Sequence, residues 1–481
     1  MDAMFWPCRQ LAAYAALESF NAFMPFVPPS LSTSCRMLHG IAPKNVRLST
    51  RLIKSLSPSS HNYASLQEVA CNREGVAMVV LKKGKTQLFR DGSPMVYSGA
   101  VDRIIGRPSP KSGDIVLVAD GTEKPIGWGL YNSVSMFCVR LMQTEDEAAM
   151  DPSCALNMEK LLDKRIKAAI DLRRRMNLPS VCTNAYRLVN SEGDRLSGLI
   201  IDIFGNTAII ASSAAWVEKY KPKIGSYVCL LDGITQIKWR PSIDILKAEG
   251  LDVADIEESN SSPSLENVKV MENGISYKVS SNGQKTGFYA DQRENRQFIS
   301  TLSKDQRVLD ICCYSGGFAL NAALGGATDV VGIDSSLSAI ELARENVLLN
   351  NLDPEKVSFS REDATEFMKG AASRLEMWDL VILDPPKLAP RRKVLQSASG
   401  MYRNLNSLAM QITKPGGLLM TCSCSGAMTQ SGMFLRILQA TAAKAKKRIT
   451  VLRQSGAACD HPIDPSYPEG TYLTNILLRV L

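Results

Sequence analysis

Short apolar stretches alternate with helical segments from about residue 300 to the end of the chain. The apolar stretches read RVLDICC, DVVGID, VSFS, DLVILD and GGLLMTC, and segments such as SLSAIELARENVLLNN lie between them. Strands that alternate with helices form a mostly parallel sheet, because each parallel connection needs a crossover segment. The sequence therefore predicts an α/β fold for residues 266–481.

Acidic residues follow several of these strands near the points where they end. The first strand carries Asp310 and leads into a loop with Gly316 and Gly317, the second ends at Asp334, and Asp363 follows the third. Ligands bind at the carboxyl ends of parallel strands, and glycine allows close approach of the backbone. The loop matches neither a dinucleotide fingerprint nor a phosphate loop. Asp334 is placed to accept from ribose hydroxyls, and Asp363 from an adenine amino group.

The fourth strand ends in an Asp-Pro-Pro turn that begins at Asp384. This order of strands and acids resembles the class I S-adenosylmethionine-dependent methyltransferases. The resemblance implies a Rossmann-like domain with S-adenosyl-L-methionine as cofactor. The residues expected to bind it here are Asp310, Tyr314, Gly316, Gly317, Asp334 and Asp363. Lys387 follows the prolines, where an aromatic residue would favour methylation of an exocyclic nitrogen.

The fifth strand ends in TCSCS, which brings two thiols to the predicted ligand edge. A disulfide scaffold and a zinc site both fit poorly, because the twelve cysteines lack the regular or Cys-x-x-Cys spacing of such sites. A nucleophile fits better, since a thiolate that adds to carbon 6 of a pyrimidine activates carbon 5 for methylation. Cys422 and Cys424 share a strand face, and both could also be buried structural thiols. Cys424 is preferred as nearer the carboxyl end, and Asp384 is expected to bind the cytosine ring.

The front half of the chain has a different organisation. Residues 76–145 show alternating apolar positions and turns, which predict a small β-barrel. Residues 150–265 combine a basic helix with a β-meander, which predicts a central α+β domain, and the polar stretch DVADIEESNSSPSLENV predicts a linker.

Residues 1–67 have the composition of a targeting segment. No acidic residue occurs between Ser19 and Gln67, whereas Ser, Thr, Arg and Lys recur, as in an organellar transit peptide. A disordered tail is the alternative. We expect import into an organelle, with the serine content favouring the chloroplast over the mitochondrion. Without this segment the net charge falls from +8 to +4, which does not by itself indicate a nucleic-acid partner.

Seven stretches in one order resemble the bacterial 23S ribosomal RNA large subunit methyltransferase I family, which makes 5-methylcytosine. They read YSGAV, NAYRLVNSEGDRLSGLIID, KTGFYADQRENR, YSGGFAL, LDPPK, SCSGAMT and DHPIDPSYPEGTYL. The resemblance implies a PUA RNA-binding barrel, a central domain with a β-hairpin and a Rossmann-like catalytic domain. It also favours Cys424 as nucleophile. Met95 stands where the family pattern has tryptophan.

Further residues are expected to serve the cofactor and the RNA. Arg293 could pair with the cofactor carboxylate, although the same segment could equally dock the domains. Large-subunit ribosomal RNA is the expected partner, with no membrane and no metal, and the sequence leaves a homodimer open. The basic clusters expected to contact RNA are the helix from Lys164 to Arg175, Arg391 to Lys393, and residues 444–448.

Overall fold

The computed structural model describes residues 65–71, 73, 75–252, 268–279 and 288–481. The predicted targeting segment, residues 1–67, lies outside the described residues up to position 64, as does nearly all of the predicted linker at 252–268. Within the described ranges, no helix has both the length and the apolar content needed to cross a bilayer.

Between residues 77 and 144 the described chain forms a six-stranded sheet in the order β2-β6-β5-β4-β1-β3. Alternating apolar side chains, among them Val79, Val118 and Val139, form a core cluster together with Phe89. The strands are β1 Ala77–Leu81, β2 Met95–Tyr97, β3 Val101–Ile105, β4 Ile115–Ala119, β5 Pro125–Tyr131 and β6 Phe137–Thr144, and the helices here are α1 Leu66–Cys71 and α2 Thr86–Arg90.

The central domain is built on a sheet in the order β10-β9-β8-β7, in which β7 to β9 form the predicted meander and β10 runs parallel to β9. Its core continues into the barrel, because Trp128 of β5 packs in the same cluster as Leu162 and Trp216. The elements are α3 Glu145–Met150, α4 Met158–Arg175, β7 Ala185–Asn190, β8 Leu199–Phe204, β9 Thr207–Ser212, α5 Ala215–Lys219, α6 Lys221–Cys229, β10 Gln236–Pro241 and α7 Ile243–Ala248.

A hairpin of β11 Val268–Glu272 and β12 Ile275–Val279 precedes the catalytic sheet and packs into its core through Val270 and Tyr277. This hairpin lies within the range predicted for the methyltransferase domain, whereas the central domain has its own antiparallel pair, β7 and β8.

Seven strands form the sheet of the described catalytic domain, in the order β15-β14-β13-β16-β17-β19-β18. All run parallel except β19, which is antiparallel to both neighbours. The strands are β13 Arg307–Ile311, β14 Asp329–Asp334, β15 Val357–Arg361, β16 Trp378–Leu383, β17 Thr413–Ser423, β18 Ile449–Ser455 and β19 Thr474–Val480, and the helices are α8 Arg293–Ser300, α9 Gly317–Leu324, α10 Leu337–Leu349, α11 Ala364–Ser373, α12 Leu395–Ile412, α13 Gly426–Ser431 and α14 Met433–Lys444.

The central strands β13 and β16 are apolar on both faces because separate clusters cover the two sides of the sheet. Val308 and Ile382 pack on one side, and Leu309 and Val381 on the other. The strand order reverses between β13 and β16, which is where an open parallel sheet binds its ligand.

The structure corrects two of the predicted RNA-contacting clusters. In α4, Arg173 and Arg165 are buried: Arg173 binds both oxygens of Asp194, and Arg165 donates to the carbonyl of Met142. The segment 444–448 directly precedes β18, which runs in the same direction as β17. It therefore lies at the end of the sheet where the parallel strands begin, opposite the predicted ligand edge. The exposed basic residues of the predicted sets that remain on other surfaces are Lys164, Lys167, Arg174, Arg175, Arg391, Arg392 and Lys393.

Candidate active site

The loop after β13 has a strained, closely packed backbone. Tyr314 and Gly316 have positive φ values of 49° and 80°, and Gly316 is the N-cap of α9. A Cβ on Gly316 would lie 2.9 Å from the ring of Phe359, and one on Gly317 would lie 2.9 Å from Arg296 Cδ. Side chains at either glycine would therefore displace their neighbours, which explains the two glycines that the sequence places here.

Asp310 at the end of β13 is fully buried and only half satisfied. Its Oδ2 accepts a hydrogen bond from the Ala319 amide at 3.0 Å, whereas Oδ1 is buried with no hydrogen-bond partner among the described residues. Burial raises the pKa of Asp310 to about 8. An orphaned carboxyl oxygen beside a glycine loop fits a ligand that supplies a donor, such as the amino group of S-adenosylmethionine.

Asp334 and Asp363 stand at the ends of the next two strands. Asp334 Oδ2 accepts from the Tyr314 amide at 3.0 Å, so this carboxylate also fixes the loop after β13. Asp363 caps α11 by accepting from the amides of Thr365 and Glu366 through Oδ1. Both carboxylates reach the predicted ligand edge, and their roles toward ribose and adenine stay predictions.

The two strand-end thiols have different surroundings. Cys422 lies within β17 opposite Asn475, is fully buried, and has a pKa raised well above its usual value by burial. Cys424 lies one residue beyond the end of β17 and is partly exposed, with its Sγ 3.9 Å from the Pro385 carbonyl oxygen of the Asp-Pro-Pro turn. Of the two, Cys424 is the thiol that a ligand can reach.

The serines that alternate with these thiols hold the strand end in place. The hydroxyl of Tyr402 lies 2.8 Å from Ser423 Oγ and 3.1 Å from Ser425 Oγ, and Ser425 Oγ accepts from the Ala389 amide. Burial raises the pKa of Tyr402 to about 12, so the phenol keeps its proton. In this alternating stretch the serine hydroxyls therefore fix the strand end, and Cys424 is left as the accessible group. The motif alone does not show this distinction.

Gln292 is a site residue that sequence reasoning missed. Its buried side-chain amide donates to Asp384 Oδ2 at 3.1 Å and to Asn475 Oδ1 at 3.2 Å, while its own oxygen accepts from Asn295. The amide therefore orients the carboxyl group of Asp384. A glutamine carries no catalytic signal in sequence, and only its position in the DQRENR stretch could have drawn notice.

Arg293 does not face the predicted cofactor site. Its guanidinium is buried and binds both oxygens of Asp460, at 3.0 and 2.8 Å. Asp460 also accepts from the Arg187 amide of the central domain and lies 3.1 Å from His461 Nδ1. Asp460 therefore occupies the Arg293 guanidinium and links it to the central domain, which favours the alternative of a contact that docks the domains over the predicted pairing with the cofactor carboxylate.

Two tyrosines connect the glycine loop with the thiol. Tyr289 packs edge-on against Tyr314 with ring centroids 5.3 Å apart, and it lies close enough to Cys424 and Asp384 for their charges to act on its hydroxyl. Burial raises the pKa of both phenols. The neighbouring Phe288 packs in the core against Tyr277.

The described cysteines are all free thiols, and the described residues contain no group of three or more His, Cys, Asp or Glu side chains placed to hold a metal ion. The edge of the sheet instead combines an accessible thiol, an oriented carboxyl group, a half-satisfied buried aspartate and a glycine loop. Such an edge can bind an adenosyl ligand and present a nucleophile beside it.

Comparisons with known proteins agree with this description. Residues 252–467 match the S-adenosylmethionine-dependent methyltransferase family, and residues 79–144 match the PUA-like domain, which confirms the predicted barrel. A SAM-dependent methyltransferase candidate from Streptococcus mutans has the same fold, with a TM-score of 0.67 at 19% identity over 84% of this chain and 99% of its own.

Curated relatives are more similar in sequence. Ribosomal RNA large subunit methyltransferase I from Erwinia tasmaniensis is 33% identical over 405 residues, which cover 84% of this chain and 99% of the relative. The protein of that name from Photobacterium profundum is 35% identical over 396 residues, which cover 82% and 97%. The chain belongs to the ribosomal RNA large subunit methyltransferase I family and is an S-adenosylmethionine-dependent methyltransferase.

Proposed function

We propose that this protein transfers a methyl group from S-adenosylmethionine to carbon 5 of a cytosine in large-subunit ribosomal RNA, with Cys424 as the covalent nucleophile. The observation that carries this proposal is the position of Cys424, a partly exposed thiol at the carboxyl end of β17 and next to the Asp-Pro-Pro turn. The curated relatives are named as methyltransferases of large-subunit ribosomal RNA.

The proposed chemistry needs a nucleophile because carbon 5 of cytosine is itself unreactive. The Cys424 thiolate adds to carbon 6, the carbon–carbon double bond opens, and its electron pair becomes available at carbon 5. Bound S-adenosylmethionine supplies an electrophilic methyl group. Loss of the proton from carbon 5 and breakage of the sulfur–carbon 6 bond restore the ring, so that one proton is released and the thiolate returns.

Asp384 takes the role of orienting the pyrimidine. One oxygen of its carboxyl group can accept from the amino group of cytosine, and an O–H on the other oxygen can donate to the ring nitrogen, which draws electrons away from carbon 6. Gln292 holds Oδ2 of this carboxyl group at 3.1 Å, so the group has a fixed direction before RNA binds. Preorganisation of this kind avoids reorientation during the reaction.

Two alternatives make different predictions. Uracil could undergo the same covalent chemistry, and an RNA-binding assembly factor could keep the fold without activity. Nucleoside mass spectrometry of unmodified bacterial-type large-subunit ribosomal RNA after incubation with the protein and S-adenosylmethionine separates all three. We expect 5-methylcytidine; 5-methyluridine would refute the choice of base, and an unmodified RNA would support the assembly factor.

Trapping tests the covalent step itself. RNA transcribed with 5-fluorocytidine cannot lose fluorine as a cation, so the adduct cannot resolve after methyl transfer. We expect a protein–RNA species that survives denaturing electrophoresis and forms only when S-adenosylmethionine is present. Normal methylation of cytidine RNA without any trapped species would contradict a covalent mechanism.

Organellar location is a further part of the proposal. It is supported by residues 19–67, which contain no acidic side chain and many Ser, Thr, Arg and Lys residues. A fluorescent protein fused after residue 75 should enter chloroplasts or mitochondria, and a fusion with Arg36, Arg47 and Arg51 changed to Glu should not. Diffuse fluorescence from the first fusion would refute this location.

A further inference from the structure

Strand β10 forms the free edge of the central sheet and carries two cations on one face. Ile237 and Trp239 pack against the core shared with the barrel, so alternation places Lys238 and Arg240 on the opposite face. Their Cβ atoms are separated by two residues of a strand, which corresponds to about 7 Å.

This face of the sheet looks toward the catalytic domain. Lys238 pairs in register with Ile209, and Ile209 packs in the same cluster as Phe288 and Phe318 of the catalytic domain. At the edge of this contact the Arg240 guanidinium lies close enough to Tyr314 and Asp202 for their charges to favour its cationic form. Tyr314 belongs to the glycine loop, so Arg240 lies near the candidate active site.

Arg240 is a partly buried cation without an anionic partner among the described residues. It forms no hydrogen bond or ion pair with any residue that the structure describes. The nearby carboxylate of Asp202 is instead bound on both oxygens by the Arg187 guanidinium, at 2.8 and 3.0 Å. Burial lowers the pKa of Arg240, and burial together with the nearby Arg240 charge lowers the pKa of Lys238. An anionic ligand would remove this unfavourable charge.

The charges around the active site indicate which anion is needed. Several carboxyl groups lie at this edge of the sheet: Asp291 and Asp384 act with Cys424 on Tyr289, and Asp310, Asp334 and Asp363 act on Cys312 in the glycine loop. A polyanion that enters past these groups is repelled unless cations stand beside its path. Two adjacent cations on an edge strand match successive phosphates of a strand better than the single carboxylate of the cofactor.

We propose that Lys238 and Arg240 bind the phosphates next to the target cytidine and so direct the RNA strand past Tyr314 to Cys424. This inference rests on the proposed RNA substrate. It assigns a second RNA-binding surface, separate from the barrel, whose function is to place one nucleotide. The path runs along the aromatic pair Tyr314 and Tyr289, on which an unstacked base can pack.

The salt dependence of RNA binding tests this surface. We would measure the affinity of the full chain for unmodified bacterial-type large-subunit ribosomal RNA across a range of salt concentrations, for wild type and for Lys238→Gln/Arg240→Gln. Loss of two phosphate contacts should reduce the slope of log K against log salt by about 1.4 and weaken binding about tenfold at moderate salt. Arg240→Lys should restore part of the slope, and calorimetric binding of S-adenosylmethionine should be unchanged.

The matched control is Lys369→Gln/Arg374→Gln, which removes two exposed cations from α11 and its end on the same chain. This control should leave the slope unchanged. An unaltered slope in the β10 variant, with wild-type methylation intact, would overturn this inference and not the proposed function. Equal loss of S-adenosylmethionine affinity would instead assign Arg240 to the cofactor carboxylate. Failure of the wild type to bind or methylate RNA would refute the proposed function itself.

Discussion

Asp460, at the junction of the central and catalytic domains, and Asp310, at the end of β13, are both fully buried but have opposite surroundings. Asp460 receives hydrogen bonds on both oxygens from Arg293 and a further one from the Arg187 amide. Asp310 receives one, from the Ala319 amide, and its other oxygen has no partner among the described residues.

The pKa values of the two carboxyl groups follow from this difference. Burial alone would raise the pKa of Asp460, but His461 and Arg293 outweigh it and lower the pKa. At Asp310 burial dominates and the pKa rises to about 8. The junction therefore satisfies its buried charges and contributes to stability, whereas the ligand edge keeps an unsatisfied group for a ligand. Changes at the junction should affect folding, and changes at the edge should affect activity.

The two thiols of β17 give the largest expected contrast. Cys424→Ala should lower methylation more than about 1,000-fold, because the covalent step is lost, with little change in the free energy of unfolding. Cys422→Ala should retain most activity but lose about 1 kcal/mol of stability, because it leaves a small cavity in the core. Single-turnover methylation and urea unfolding measure these effects. Loss of activity in Cys422→Ala alone would mean that the wrong sulfur is assigned.

Asp460→Asn should destabilise the protein by about 3–5 kcal/mol, because it leaves the buried Arg293 guanidinium without its anion. Urea unfolding at pH 7 measures this loss. The effect should shrink as the pH falls below the ordinary range for aspartate, since a carboxyl group with a lowered pKa stabilises the fold only while it is ionised.

The control for the junction is Glu366→Gln, which breaks the exposed pair with Lys369. It should change the free energy of unfolding very little, because exposed pairs are screened by solvent. If Asp460→Asn were as mild as this control, the junction would not be a source of stability and the comparison with Asp310 would fail.

The sequence predicted the features that depend on local pattern. The order of strands and acids placed Asp310, Asp334 and Asp384 at one edge, because carboxyl ends of parallel strands meet there. The burial of long cationic side chains could not be predicted in this way. Arg173 belongs to the helical pattern of α4, but the partner that allows its burial, Asp194, lies 21 positions further along the chain.

Roles that depend on contacts between segments distant in sequence could not be predicted either. Gln292 acts on Asp384 across 92 positions, and the partner of Arg293, Asp460, lies 167 positions away. Neither residue type signals such a contact in the sequence. From the residues alone, the choice between Cys422 and Cys424 rested on a difference of two positions, and only the position at which β17 ends decides which thiol lies beyond the strand.

Gln292→Met tests whether the orientation of Asp384 matters for catalysis. Methionine has a similar size but no amide donor, so kcat should fall about 30-fold, equivalent to about 2 kcal/mol, while KM for RNA and affinity for S-adenosylmethionine stay near wild type. The companion variant Gln292→Glu places a second carboxyl group beside Asp384 and should shift the acid limb of the pH–rate profile upward. A purely structural role would lower stability in both variants and leave the profile unmoved.

Asp310→Asn should produce the smallest effect, a roughly tenfold loss of affinity for S-adenosylmethionine, or about 1.4 kcal/mol. The pKa of Asp310 is raised to about 8, so the folded ligand-free protein holds a proton that the unfolded chain releases near pH 4. The stability from this group is complete below about pH 4 and is lost as the pH rises towards 8.

A cationic amino group on the ligand should ionise Asp310, so calorimetry at pH 7 in buffers of different ionisation enthalpy should show proton release in wild type. Asp310→Asn should abolish that proton release. The control variant Asp329→Asn, at the opposite edge of the sheet, should retain it. Proton release that persists in Asp310→Asn would show that the buried carboxyl group does not contact the ligand.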